Sequence, residues 1–156
     1  MKEKILEAFR ELGFTLEEEE GMGYCFNYEG LNLLYMYNEN DEEFLNIALP
    51  GIVDVEEDKM LQICALLEKI NSTLKYIKAY ILGNSVWLFY ERELFGEEDL
   101  MTVISRMILH LEAGLSFARK AMTEIEETMT NDSSDDDTAE SAEEIDAEEI
   151  TDDDNE

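Results

Sequence analysis

The apolar positions follow two periods, and the changes between them divide the chain. The longest regular run is Glu97–Met129. There Ile104, Ile108, Leu111, Leu115, Ala118, Met122, Ile125 and Met129 recur at alternating steps of four and three. That spacing makes one continuous stripe on a helix. Glu97, Glu98 and Asp99 open the run, where negative charge complements the positive end of the helix dipole. No Pro interrupts it, and Gly114 in its middle costs about 1 kcal/mol relative to Ala. At its usual rise such a helix reaches roughly 50 Å. That exceeds the width of a body whose radius of gyration is about 14 Å. Either the helix frays past about Met122, or its far end projects.

A shorter helical pattern covers residues 2–12, with Ile5, Leu6, Phe9 and Leu12 on one face and Gly13 as the stop. Glu17–Glu20 and Gly21 read as a charged connection. The period then drops to two. Met22–Tyr28 and Leu31–Tyr37 read as strands joined at Glu29-Gly30, a two-residue hairpin turn. Pairing across it sets Tyr28 opposite Leu31, Phe26 opposite Leu33 and Tyr24 opposite Tyr35 on one face. Cys25, Asn27, Asn32, Leu34 and Met36 share the other. Glu43–Leu49 reads as a third strand ended by Pro50-Gly51. Asp54 with Glu57 has the spacing of a capping box. The helix behind it, running to about Ser72, buries Met60, Ile63, Cys64, Leu67, Ile70 and Leu74, with Leu61 and Leu66 widening that stripe. A second hairpin, Tyr76–Leu82 and Ser85–Arg92, turns at Gly83-Asn84. Its register pairs Ile81 with Val86, Ala79 with Leu88 and Ile77 with Tyr90 on one face. Tyr80 with Trp87 and Lys78 with Phe89 fall on the other.

The order is α-β-β-β-α-β-β-α. It predicts an α+β domain with a mostly antiparallel five-stranded sheet packed with helices. Residues 1–130 form that domain, and 131–156 form an acidic tail with almost nothing to bury, read as disordered. Within the tail, Ala142, Ile145, Ala147 and Ile150 could line one side of a short helix. Such a sheet normally has one polar face. Here both carry large apolar side chains, and the face with Tyr80, Trp87 and Phe89 is read as continuing through Tyr24, Phe26, Leu33 and Tyr35. Either the helices split between the faces, or one aromatic face is a partner surface, since large exposed apolar patches rarely lack a use. Tyr80, Trp87, Phe89, Tyr24, Phe26 and Tyr35 are the candidate partner-binding residues, with Trp87 as anchor.

Charge narrows the partners. Acidic residues number 40 against 11 basic ones, for a formal charge of −29. The tail holds 14 of the acids and no base, which leaves the body at −15. Such a surface repels nucleic acid phosphates and anionic membranes and suits basic partners or simple solubility. No apolar run approaches the roughly 18 residues of a membrane span. Met1-Lys2-Glu3-Lys4 leads into an amphipathic pattern unlike a signal peptide. A cytoplasmic location without membrane or nucleic acid contact is expected. Cys25 and Cys64 are expected to be buried, reduced thiols.

Catalytic patterns are missing. His110, the only histidine, falls beside the helical stripe with no Glu-x-x-His, second histidine or Cys-x-x-Cys near it. There is no phosphate loop, nucleophile elbow or dinucleotide fingerprint. Gly21-Met22-Gly23 reads as a flexible strand entry. The clusters Asp135-Asp136-Asp137 and Asp152-Asp153-Asp154 lack the spaced ligands of a calcium loop. No enzyme activity, cofactor or metal is expected.

The element order, the helix stop at Gly13, the hairpin Tyr24–Leu31, the Pro50-Gly51 exit and Ser85-Val86-Trp87-Leu88-Phe89-Tyr90 before the last helix together resemble the YbjN-type family of bacterial proteins. That family is described as candidate sensory transduction regulators and is similar in fold to type III secretion chaperones. The resemblance covers roughly residues 1–122 and leaves the acidic tail outside. It implies a small non-enzymatic protein, chaperone-like in fold. It also implies a homodimer that binds an unidentified partner protein through apolar surfaces. A reading of another class is an acidic nucleic-acid mimic, or a solubility-tuning protein, that meets a basic partner through its negative surface and tail.

Overall fold

The computed structural model describes residues 1–136, with side chains through Asn131. Most of the acidic tail, including the Ala139–Ile150 stripe, lies outside the described residues. The elements are α1 (Lys2–Glu11), β1 (Glu17–Glu19), β2 (Gly23–Tyr28), β3 (Leu31–Met36), β4 (Phe44–Asp54), α2 (Met60–Thr73), β5 (Ile77–Leu82), β6 (Ser85–Glu93) and α3 (Leu100–Asp136). All sheet pairings are antiparallel, in the order β1-β2-β3-β4-β6-β5. The class is α+β, with six strands where five were expected. The extra one is β1, whose three glutamates pair with Gly23–Cys25 at the sheet edge.

Both hairpins form in the expected registers. Glu29 and Gly30 both take positive φ, as a type I′ turn requires. At Gly83-Asn84 only Gly83 does. Gly13 ends α1 as expected. Its N–H donates to the Arg10 carbonyl and that of Phe14 to the Phe9 carbonyl, the two bonds of a Schellman motif. Gly23 is a fixed requirement of the sheet. A Cβ there would lie 2.0 Å from the Tyr35 carbonyl oxygen, so only glycine lets β2 approach β3 so closely.

Three sequence expectations change. Pro50-Gly51 does not end its strand. β4 runs on to Asp54 through a bulge between Leu49 and Val53, which absorbs a proline that cannot donate to the ladder. Asp54 therefore pairs with Ser85 and caps no helix. A 3-10 turn, Glu57–Lys59, leads into α2 with no side-chain cap. Third, the buried stripe of α2 is Ile63, Leu66 and Ile70. Met60, Leu61 and Cys64 are exposed. Neither thiol is fully buried, since Cys25 is only partly covered, and both are free.

All three helices pack on one face of the sheet in a single core. Phe9 of α1 lies 4.9 Å from the ring of Phe26 and 5.6 Å from that of Tyr35. Ile104, Met107, Ile108, Leu111, Leu115, Ala118 and Ala121 of α3 cover the other end. Lys69 of α2 reaches Glu124 of α3 at 2.7 Å. The long helix starts three residues later than the sequence pattern suggests, because Asp99 caps it. The Asp99 carboxylate accepts the Thr102 hydroxyl at 2.6 Å, and its carbonyl accepts the Val103 N–H. The helix stays unbroken beyond Met122 and beyond the Thr130 boundary, to Asp136. By length and composition alone its Leu100–Asn131 segment would suffice to cross a bilayer. Its buried stripe lines the domain core.

Candidate functional site: the helix-free face of the sheet

The register decides which side chains share the second face. Leu34 pairs with Ala48, Ala48 with Phe89, and Phe89 with Lys78. One step along, Met36 pairs with Asn46 and Asn46 with Glu91. Alternation then places Cys25, Asn27, Trp87 and Tyr80 on the same side. No described helix covers this face.

Its centre is an aromatic ladder. Tyr80 stacks on Phe89 with centroids 4.1 Å apart and planes 2° from parallel, and Trp87 flanks Phe89 at 6.0 Å. The Trp87 indole N–H donates to Ser85 Oγ at 3.0 Å, which fixes the ring against the strand. Leu34, Ala48 and Phe89 form a small second core beneath Trp87, Met36 and Cys25. Phe89 is fully buried there, while Tyr80 remains 41% exposed. Polar groups rim the ladder. Lys78 pairs with Glu91, which also accepts from Asn46 Nδ2 at 3.0 Å. Burial first, then the Glu91 charge, raises the Tyr80 phenol above its ordinary value. Burial, then Glu19 and Glu17, raises the Cys25 thiol.

The six candidate residues therefore divide. Tyr80 and Trp87 present surface on the open face. Phe89 lies under them as support. Phe26 and Tyr35 are buried on the opposite face beneath α1, at 4% and 1% exposure. Burial pushes the Tyr35 phenol far upward. Tyr24 stacks on Tyr35 at 6.1 Å, and the Lys2 ammonium lies 5.2 Å from its ring. The expected continuation of the Trp87 face through Tyr24, Phe26, Leu33 and Tyr35 is thus corrected. The register carries Tyr35 through Ile47 and Tyr90 to Ile77, all beneath the helices. Leu34, Met36, Asn46 and Glu91 continue it instead. Alternation in the first hairpin had already grouped Leu34 and Met36. Only the β4–β6 pairing, which joins distant segments, attaches them to Trp87.

His110 sits at the edge of the packed stripe. Its Nδ1 lies 2.7 Å from the Arg106 carbonyl oxygen, and its ring contacts Tyr90 and Tyr76 at 5.7 Å each. A carbonyl only accepts, so Nδ1 carries the proton.

An antiparallel sheet with helices on one side and an aromatic ladder on the other defines a two-layer α+β protein, one face of which no described element covers. No family model matches the chain. No curated protein matches it either. Solved structures do match, and two of them show the likeness. YbjN of E. coli, proposed to be a transcription regulator, superposes with a TM-score of 0.57 at 12% identity, over 74% of this chain and 86% of its own. An uncharacterized protein of Methanothermobacter thermautotrophicus gives 0.50 at 18% identity, over 81% and 97%. The chain has a YbjN-like fold.

Proposed function

We propose that this is a non-catalytic protein-binding module, regulatory or chaperone-like, that takes a partner protein on the open face of its sheet. One observation carries the reading. All three helices pack on one side, yet the uncovered side holds a stacked Tyr80–Phe89–Trp87 ladder over its own small core. Amphipathic aromatic side chains with rigid rings and polar tips are the usual anchors of protein interfaces. The description of E. coli YbjN as a proposed transcription regulator fits a regulatory role.

The expected result is stoichiometric co-purification of one defined protein with the full chain, lost in the Tyr80→Ser, Trp87→Ser double variant. Far-ultraviolet circular dichroism should show that the variant stays folded. Retention of the partner by the folded double variant would remove the open face from the reading. The proposal also takes the protein to be a homodimer, which light scattering after size exclusion tests. A dimer that dissociates in the same double variant would reassign the face to self-association.

A further inference from the structure

At one end of the open face the strands run into a cleft of about 350 Å³, walled by the β1–β2 turn and the β3–β4 loop. Met22, Tyr37, Asp41, Phe44, Asn46 and Glu91 define its chemistry. The Asn46 amide is oriented by its donation to Glu91, because the reverse orientation would set two oxygens against each other. Its Oδ1 is consequently a buried acceptor with no hydrogen-bond partner. Leaving such a group unmet is unfavourable, so a ligand that brings an N–H relieves it.

The charges point the same way. Lys78 already compensates Glu91. Among the described residues no cation pairs with Asp41. Met22 and Phe44 are 40% and 44% exposed and give apolar wall. Lys2 occupies one side of the Tyr37 ring, 4.5 Å from its centroid, so Phe44 is the ring left for a second cation. The cleft thus offers an unmet acceptor, an unpaired carboxylate and an aromatic wall. A neutral donor would leave the Asp41 charge uncompensated, and an anion would add to it.

We propose that the cleft receives a basic side chain of the bound partner, an arginine by preference. Its guanidinium pairs with the Asp41 carboxylate and lies against Phe44, and a small rotation of the Asn46 amide out of the wall lets its buried Oδ1 accept one of the N–H groups. This rests on the open face being the partner surface. Met36, which lines the cleft, also packs on the Leu34–Ala48–Phe89 cluster, so the two regions adjoin. A partner segment would lay apolar side chains across Trp87 and Tyr80 and end in a basic residue.

The test titrates N-acetyl-arginine amide into the ¹⁵N-labelled full chain, with N-acetyl-citrulline amide as the uncharged isostere. Saturable shifts should centre on Met22, Asp41, Asn46 and Glu91, including the Asn46 side-chain amide. Citrulline should bind about tenfold more weakly, the difference between charged and neutral hydrogen bonds. Asp41→Asn should weaken arginine binding, and Asn46→Leu should do so in a variant whose spectrum stays dispersed. Cys64→Ser, on the exposed side of α2, should leave it unchanged. Equal binding of citrulline, or non-saturating shifts spread over the acidic surface and indifferent to Asp41→Asn, would overturn the assignment. Failure of arginine to bind while the partner is still captured would sink the cleft alone. Partner capture that survives the Tyr80→Ser, Trp87→Ser change would sink the docking surface.

Discussion

Gly114 lies where α3 passes over β5 and β6, and a Cβ there would meet Leu88 Cδ1 at 3.4 Å and Ile77 at 3.7 Å. Those are ordinary contact distances to side-chain tips. Gly114→Ala should therefore keep most of its helix-propensity gain and stabilise the fold by up to about 1 kcal/mol. Gly114→Leu should overpack the same spot and cost about 1–3 kcal/mol. Urea titrations of both variants check this, and an alanine variant weaker than wild type would show that the helix cannot give. The acids before α3 act through named bonds. Glu98 accepts the backbone N–H groups of Phe95 and Gly96 at 2.8 and 2.9 Å and faces Arg92 at 3.4 Å. The Phe95 N–H bond chiefly lowers its carboxyl below the usual value, and the Thr102 hydroxyl does so for Asp99. A depressed folded-state value means stabilisation fully present above the unfolded value. It is lost as pH falls through the folded one. Glu98→Gln should flatten the fall of stability with acid below pH 4.5 and Asp99→Asn below pH 3.8, as read from melts across pH. Glu97, Glu98 and Asp99 read as a helix start by charge alone. Asp54 did so by spacing and was wrong, because a strand claimed it first.

The edges of the sheet are guarded in two ways. β1 presents three glutamates, whose charge discourages a further strand. β5 is guarded by a side chain. Asn71 of α2 donates to the Ala79 carbonyl at 2.9 Å and accepts from the Ala79 N–H at 2.8 Å. One side-chain amide so takes the place of a neighbouring strand at the middle of an edge whose single charged residue is Lys78. Asn71→Leu should free both groups and promote edge-to-edge association, seen as a concentration-dependent rise in molar mass by light scattering. An unchanged monomer-to-oligomer ratio would show that the edge is protected elsewhere. Local elements were well marked in the sequence, since the hairpin turns, the Gly13 stop and the α3 stripe each depend on neighbouring residues. β1 was missed because three consecutive glutamates have no strand alternation. The outward turn of Met60, Leu61 and Cys64 was missed because a wide apolar stripe does not say which third of it faces the sheet.

On the scale of the whole molecule, the open face followed from parity. A shift of one residue in the β3–β4 or β4–β6 pairing would exchange the faces. Tyr35 and Trp87 were therefore assigned to one surface in the sequence reading and lie on opposite ones in the fold. The two thiols share that division. Cys25 sits on the open face beside the small core and Cys64 on the outer side of α2. They are two native reporters, one per side, with different chemistry. Cys64 is exposed, whereas burial and the nearby Glu19 and Glu17 keep the Cys25 thiol protonated to higher pH. Alkylation by iodoacetamide, followed by intact mass, should show one fast and one slow modification. Peptide mapping should assign the slow one to Cys25. Adding whatever occupies the aromatic ladder should slow Cys25 further and leave Cys64 alone, so the protein carries its own footprinting label for the side on which it is covered.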